Sequence, residues 1–160
     1  MKNLERVLEE QLHELHSGRS RVRGVCCSRC GQNVALRRGT FHYAQKIWLD
    51  VLYEKSGGDP KVVVYMPKSV DARLRKERRK DYTAVHGGEG SLIRRWGLAE
   101  MVRPGYYRIT RLGIKVHNGV IRIHRHIATF NGNMYGAPFG PKIDIDEAAR
   151  SGSGRNGTRC

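Results

Sequence analysis

"SLIRRWGLAEMVRPGYYRITRLGIKV", residues 91–116, holds the pattern around which the rest of the chain is organised. Leu92, Ile93 and Trp96 fall at i, i+1 and i+4, an apolar stripe on a short helix that Gly97 ends. That stripe makes Trp96 a buried, structural residue and leaves Ser91, Arg94 and Arg95 on the outer side. "LAEMV" and "YYRIT" follow as two strands joined by Pro104-Gly105. Alternation puts Tyr107 and Ile109 on one face and Tyr106, Arg108 and Thr110 on the other, with Arg103 at the hairpin tip. "LGIKV" closes the stretch as a last apolar stub.

Toward the N-terminus, Thr40 is placed to cap the strongest amphipathic helix in the chain, marked by Phe41, Ala44, Ile47, Trp48, Val51 and Leu52 and ended by Gly57-Gly58. "KVVVYMP" reads as a short strand closed by Pro67. "SVDARLRKERRK", with Ser69 as its cap, reads as a very basic helix, and the glycine-rich "DYTAVHGGEG" interrupts before residue 91. Residues 40–116 thus run helix, strand, basic helix, helix stub, strand, turn, strand, which is the order of a winged helix. In that fold the last helix of a helical pair enters the major groove and the following hairpin lies against the phosphates. Ser91, Arg94 and Arg95 are then expected at the groove, while Arg73, Arg75, Lys76, Arg78, Arg79, Lys80, Arg103 and Arg108 neutralise phosphates.

Charge supports a polyanionic partner. Thirty Lys and Arg against fifteen Asp and Glu give a formal +15. The excess is uneven: residues 61–125 hold sixteen basic side chains against five acidic ones, whereas Glu5, Glu9, Glu10 and Glu14 outnumber Lys2 and Arg6 in the first 18 residues. Double-stranded DNA is the expected partner, with RNA as the other nucleic acid. A winged helix that faces protein instead is the competing use of the fold. No apolar run approaches the roughly 18 residues of a membrane span, and four glutamates stand where a secretory signal needs an apolar core. A soluble, intracellular protein with no membrane partner is expected.

"NLERVLEEQLHELHSG" places Leu4, Val7, Leu8, Leu12 and Leu15 at helical spacing, ended by Gly18. The stripe serves either the chain's own core or a homodimer or protein partner, and the first reading is preferred. "VCCSRCGQNV" carries Cys27-x-x-Cys30 followed by Gly31, a spacing at which two thiolates hold one edge of a zinc site. Two ligands are missing from this half ribbon; Cys26, His13 with His16, His42 or the same knuckle of a second chain could supply them. Beyond the wing, Asn118-Gly119 and Asn131-Gly132 are hairpin signals in a β-rich segment that also holds His117, His124 and His126. The histidines read as an exposed basic strand in preference to a metal site. "RSGSGRNGTRC" is a flexible tail by composition.

Residues 91–116 resemble the recognition-helix and wing signature of bacterial winged-helix regulators, running from a helix ending in Gly-Leu through an acidic strand and a wing to a Thr-x-x-Gly turn. The longer arrangement over residues 25–148 combines the Cys-x-x-Cys-Gly knuckle, the tryptophan helix, "WGLAE", "GYYRITRLG" and a strand pair ending in "NG". It resembles a family of small, uncharacterised phage and prophage proteins, which implies the fold more than the task. "HGGEG" departs from the pattern, because it sits where a continuous recognition helix would run.

The expected whole is an α+β protein: an acidic helix (1–18), a knuckle (19–39), a winged helix-turn-helix core (40–116), a β-hairpin extension (117–148) and a tail (149–160). Its expected work is DNA binding in transcription regulation or another DNA transaction, in a phage, prophage or bacterial setting. An adaptor that binds or inhibits a host protein is the alternative. Asp144, Asp146 and Glu147 leave a metal-dependent nuclease as the lesser one. The chain shows no phosphate-cradling loop, activated serine or paired general acid and base, so a binding protein is expected and not an enzyme.

Overall fold

The computed structural model describes residues 4–27, 30–76 and 90–150. They fall into two compact units, one within residues 1–40 and 124–142 and the other within 41–123 and 143–160. Both mix helices with short strands, so the α+β class holds.

In the first unit, helix α1 (Leu4–His16) buries Val7, Leu8 and Leu15 against Val34, Leu36, Ala128 and Phe139, with Leu12 packed at the margin. The stripe therefore serves the chain's own core, although Leu4 stays 48% exposed. Gln11, on the buried side, donates from Nε2 to the carbonyls of Arg23 (3.1 Å) and Val34 (3.2 Å), and its Oε1 accepts the Leu36 N–H at 2.8 Å. One amide thereby satisfies three backbone groups that the fold removes from water.

Strands β1 (Val25–Cys26) and β2 (Asn33–Val34) form an antiparallel hairpin. Strand β3 (Arg37–Thr40) pairs antiparallel with β7 (Ile123–Phe130), from Arg37 opposite Thr129 to Thr40 opposite His126. Asn131 and Gly132, at φ 47° and 80°, make the expected two-residue turn from β7 into β8 (Asn133–Met134). Strand β9 (Phe139–Ile143) also pairs with β7. The acidic helix, the knuckle and most of the extension, expected as separate segments, are thus joined by the long-range β3–β7 pairing.

In the second unit, helix α2 (Tyr43–Ser56) is central: Ala44, Ile47, Trp48, Leu49, Val51 and Leu52 are all buried, and it touches α3, the 3-10 helix, β6 and both C-terminal helices. His42 caps it, not Thr40. The His42 ring accepts the Ala44 N–H, and Gln45 Oε1 accepts the His42 N–H at 3.0 Å. Thr40 is held in the β3 ladder and is not available as a cap.

Strand β4 (Val64–Tyr65) leads directly into helix α3 (Met66–Lys76). Pro67 therefore opens a helix instead of closing a strand, since a first-turn proline forfeits no intrahelical bond. Ser69 lies inside that helix, its Oγ donating to the Tyr65 carbonyl at 2.9 Å, and caps nothing. A seven-residue 3-10 helix (Gly90–Trp96) precedes β5 (Ala99–Arg103) and β6 (Tyr106–Ile109). The sheet order is β4-β6-β5, with β6 central and both pairings antiparallel.

The stub after β6 is a helix, α4 (Arg111–His117). Thr110 Oγ1 accepts the Gly113 N–H at 3.0 Å and donates to the Gly97 carbonyl at 2.6 Å. Asn118 and Gly119 end α4, with Gly119 at φ 70°, and do not form a hairpin. Helix α5 (Ile145–Arg150) completes the unit. Its core gathers Phe41, Trp48, Met66, Ile93, Trp96 and Ile109, with Trp96 edge-on to Phe41 at 5.3 Å. Among the described residues no helix is long and apolar enough to cross a membrane.

Candidate nucleic-acid interface

Helix α3 buries Met66, Val70 and Leu74 at four-residue spacing. The same period carries Lys68, Asp71, Ala72 and Arg75 to another face, where they line an open cleft of about 320 Å³. Lys76 is exposed at the helix end. Arg73 points elsewhere: its Nη1 donates to both Glu54 oxygens, at 2.7 and 2.9 Å, tying α3 to α2. Arg78, Arg79 and Lys80 lie outside the described residues.

The β5–β6 turn is fastened to the start of α3. The Met66 N–H donates to the Gly105 carbonyl at 2.9 Å, and Gly105, at φ 82°, sits where a Cβ would meet the Tyr65 ring at 2.7 Å. Tyr65 and Tyr106 stack obliquely at 4.9 Å, and the Arg103 guanidinium lies over the Tyr106 ring at 3.9 Å. The expected facing of β6 is present: Tyr107 and Ile109 are buried and Arg108 is exposed. Arg108 stands directly opposite Glu100 and donates to its carboxylate at 2.8 Å. That bond holds the Glu100 carboxyl below its ordinary value and the Arg108 guanidinium above its own. Arg73 and Arg108, both expected at phosphates, are thus paired with carboxylates of this chain.

Comparison with protein-family models, with curated proteins and with solved structures gives no match for this chain.

The stretch expected as a recognition helix is, in its described part, a 3-10 helix. Its three-residue turn brings Ile93 and Trp96 inward together. Arg94 is exposed, with Nη1 3.9 Å from Met101 Sδ. Arg95 departs from the outward position expected of it: it is half-buried, and burial followed by the nearby Arg94 charge lowers its pKa. The Ser91 side chain lies outside the described residues. Among the described residues, no carboxylate is within ion-pair distance of Arg75, Lys76, Arg94 or Arg103. Lys68 joins the cleft-lining face of α3 because the helix begins at Met66, ahead of the expected start at Ser69. The 68, 71, 72, 75 spacing was the available signal.

At the knuckle, the Cys27 N–H donates to the Gln32 carbonyl and the Gly31 N–H to the Cys27 carbonyl, both at 2.8 Å. Cys26 and Cys30 are exposed, and Cys27 packs at the margin of the first core. The described residues contain no group of three or more His, Cys, Asp or Glu placed to hold a metal. His16 packs on Phe139 at 4.5 Å.

The three C-terminal histidines are dispersed. His117, on α4, stacks on Tyr53 at 3.8 Å and lies 3.4 Å from Asp50. His124 Nδ1 is 2.8 Å from the Gly140 carbonyl, and His126 Nδ1 is 3.1 Å from Thr40 Oγ1. Burial, then the Arg38 and Arg125 charges, lowers the His126 pKa to about 4. Asp144 caps α5 by accepting the Glu147 N–H at 2.6 Å and pairs with Arg122 at 3.6 Å, whereas Asp146 pairs with Lys46 at 3.5 Å.

Proposed function

We propose that this chain binds double-stranded DNA through a winged helix-turn-helix in its second unit. It would act as an intracellular regulator of transcription or of another DNA transaction, in the bacterial or phage setting that the sequence resemblance implies. The observation that carries the reading is the bond from Met66 to the Gly105 carbonyl. It fixes the wing turn at the head of the basic helix α3, so that one sheet of order β4-β6-β5 positions both. Lys68, Arg75 and Lys76 on α3, Arg103 on the wing and Arg94 on the 3-10 helix supply the cations. Phosphate contacts of this kind give affinity and register without sequence preference. Zinc is proposed at Cys27 and Cys30, whose donor set and αL Gly31 suit a thiolate knuckle. The role is that of a binding protein and not an enzyme.

Fluorescence anisotropy with a random-sequence duplex across a salt series tests the reading. Changing Arg75, Arg94 and Arg103 together to Ala should lower the log-log slope by about 2.7, at about 0.9 per phosphate contact. A flat slope, or one unchanged in a folded variant, overturns it. Preference for single-stranded RNA of equal length as competitor overturns the duplex.

One observation favours the adaptor reading: β5 is an edge strand with Met101 39% and Val102 50% exposed. An adaptor would keep its protein partner in the triple-Ala variant.

A further inference from the structure

Cys27 and Cys30 follow a short antiparallel pairing in which Val25 opposes Val34 and Cys26 opposes Asn33; the Cys27 N–H bonds to the Gln32 carbonyl and the Gly31 N–H to the Cys27 carbonyl. Gly31 is at φ 69°, with open space where a Cβ would stand, so its backbone angle and not crowding makes glycine the fitting residue. Cysteines with two residues between them can present one edge of a tetrahedron, and a closed structural zinc site needs a second edge.

Among the described residues none of the chain's own candidates for that edge, His13 included, is grouped with Cys27 and Cys30 to hold a metal. His42 caps α2 in the second unit, and the His16 ring lies against Phe139. Cys26 is adjacent to Cys27 on the strand side of the turn, where alternation sends neighbouring side chains to opposite faces. Its exposure beside a Cys27 packed on the core agrees with that split. The outer side of the hairpin faces solvent: Cys30 is exposed, and so is Val25, at 45%.

We propose that two copies of this chain meet knuckle to knuckle about a two-fold axis, and that Cys27 and Cys30 of each copy supply four thiolates to one divalent, thiophilic metal ion of the zinc class. The proposal rests on the zinc reading of this knuckle and is independent of the DNA reading. A two-fold contact is self-complementary, so each copy brings the same edge and the tetrahedron closes without a third type of ligand. Charge favours the arrangement as well. Two chains of formal charge +15 repel, and a divalent ion with four thiolates, which carries −2, offsets part of that repulsion.

The test uses the full chain, reduced and loaded with Co²⁺ or Zn²⁺. Half an equivalent of metal per chain is expected, with the intense thiolate charge-transfer and tetrahedral d–d absorption of a four-sulfur Co²⁺ site. Sedimentation should show a dimer that a chelator converts to monomer. Cys30→Ser, at an exposed position where the fold is easily checked by circular dichroism, should abolish both metal and dimer, and Cys26→Ser should leave both intact. One equivalent bound to a monomer, a dimer indifferent to chelator and to Cys30→Ser, or no Co²⁺ bound would each overturn the proposal. Duplex anisotropy of the metal-free chain reports separately on the DNA reading.

Discussion

Glu100 and Arg108 occupy opposing positions on β5 and β6, and their pairing engages a cation of the β5–β6 hairpin. Glu100→Gln should release Arg108, raising the salt slope of duplex binding by about 0.9, while urea unfolding barely changes, as is usual for exposed pairs. His126 makes the opposite kind of contribution. Its pKa falls from 6.5 to about 4 in the folded chain, so between those values the unfolded chain binds the extra proton. The stabilisation is complete above pH 6.5 and is lost as pH falls toward 4. After discounting for solvent screening, its size is on the order of 1 kcal/mol. His126→Phe, which retains a ring near Phe139, should flatten the fall in urea midpoint between pH 7 and pH 5; equal falls in both proteins would refute the assignment. Residue-level burial was legible where periodicity was strong, as at Trp96, Tyr107 and Ile109. The ion pairs of Arg73 and Arg108 were not, because each depends on which carboxylate the tertiary fold brings opposite.

Among the elements, α4 starts in close contact with the backbone ahead of β5. A Cβ on Gly113 would meet the Leu98 carbonyl oxygen, which is backbone, and Ile109 Cγ1 at 3.0 Å. Gly113→Ala should cost about 1–3 kcal/mol by overpacking, read as a lower urea midpoint of the second unit; an unchanged midpoint would mean that the junction relaxes freely. The Thr-x-x-Gly spacing was visible in sequence, but its use as a cap combined with a close approach was not. Among the described residues Asn-Gly occurs twice and is resolved in two ways. Asn131-Gly132 follows the eight-residue strand β7 and turns a hairpin, whereas Asn118-Gly119 follows a helix capped by Thr110 and ends it. The glycine takes a positive φ in both, and the preceding element decides what that angle serves. Element starts were misplaced at Thr40, Pro67 and Ser69 for a related reason: a cap residue is recognisable only once the neighbouring strand's pairing is known.

For the molecule as a whole, the proposed duplex binding assigns phosphate contacts to five exposed cations, Lys68, Arg75, Lys76, Arg94 and Arg103. At about 0.9 per contact they predict roughly a 500-fold loss of duplex binding between 50 and 200 mM salt, and a loss under tenfold would place the duplex elsewhere. Charge asymmetry and the α+β class were readable from composition and pattern. The partnership of β3 with β7 was not, since no local rule relates strands so far apart. That pairing sets an order of events during synthesis. Thr40 meets His126, 86 positions later in the chain. At about 5–20 residues per second, residues 1–40 wait roughly 4–17 s outside the ribosome before their partner strand exists. During that wait the cysteine hairpin and the apolar side of α1 are nascent and open to chaperones, oxidants and competing metals, while the central residues of the second unit are already being made.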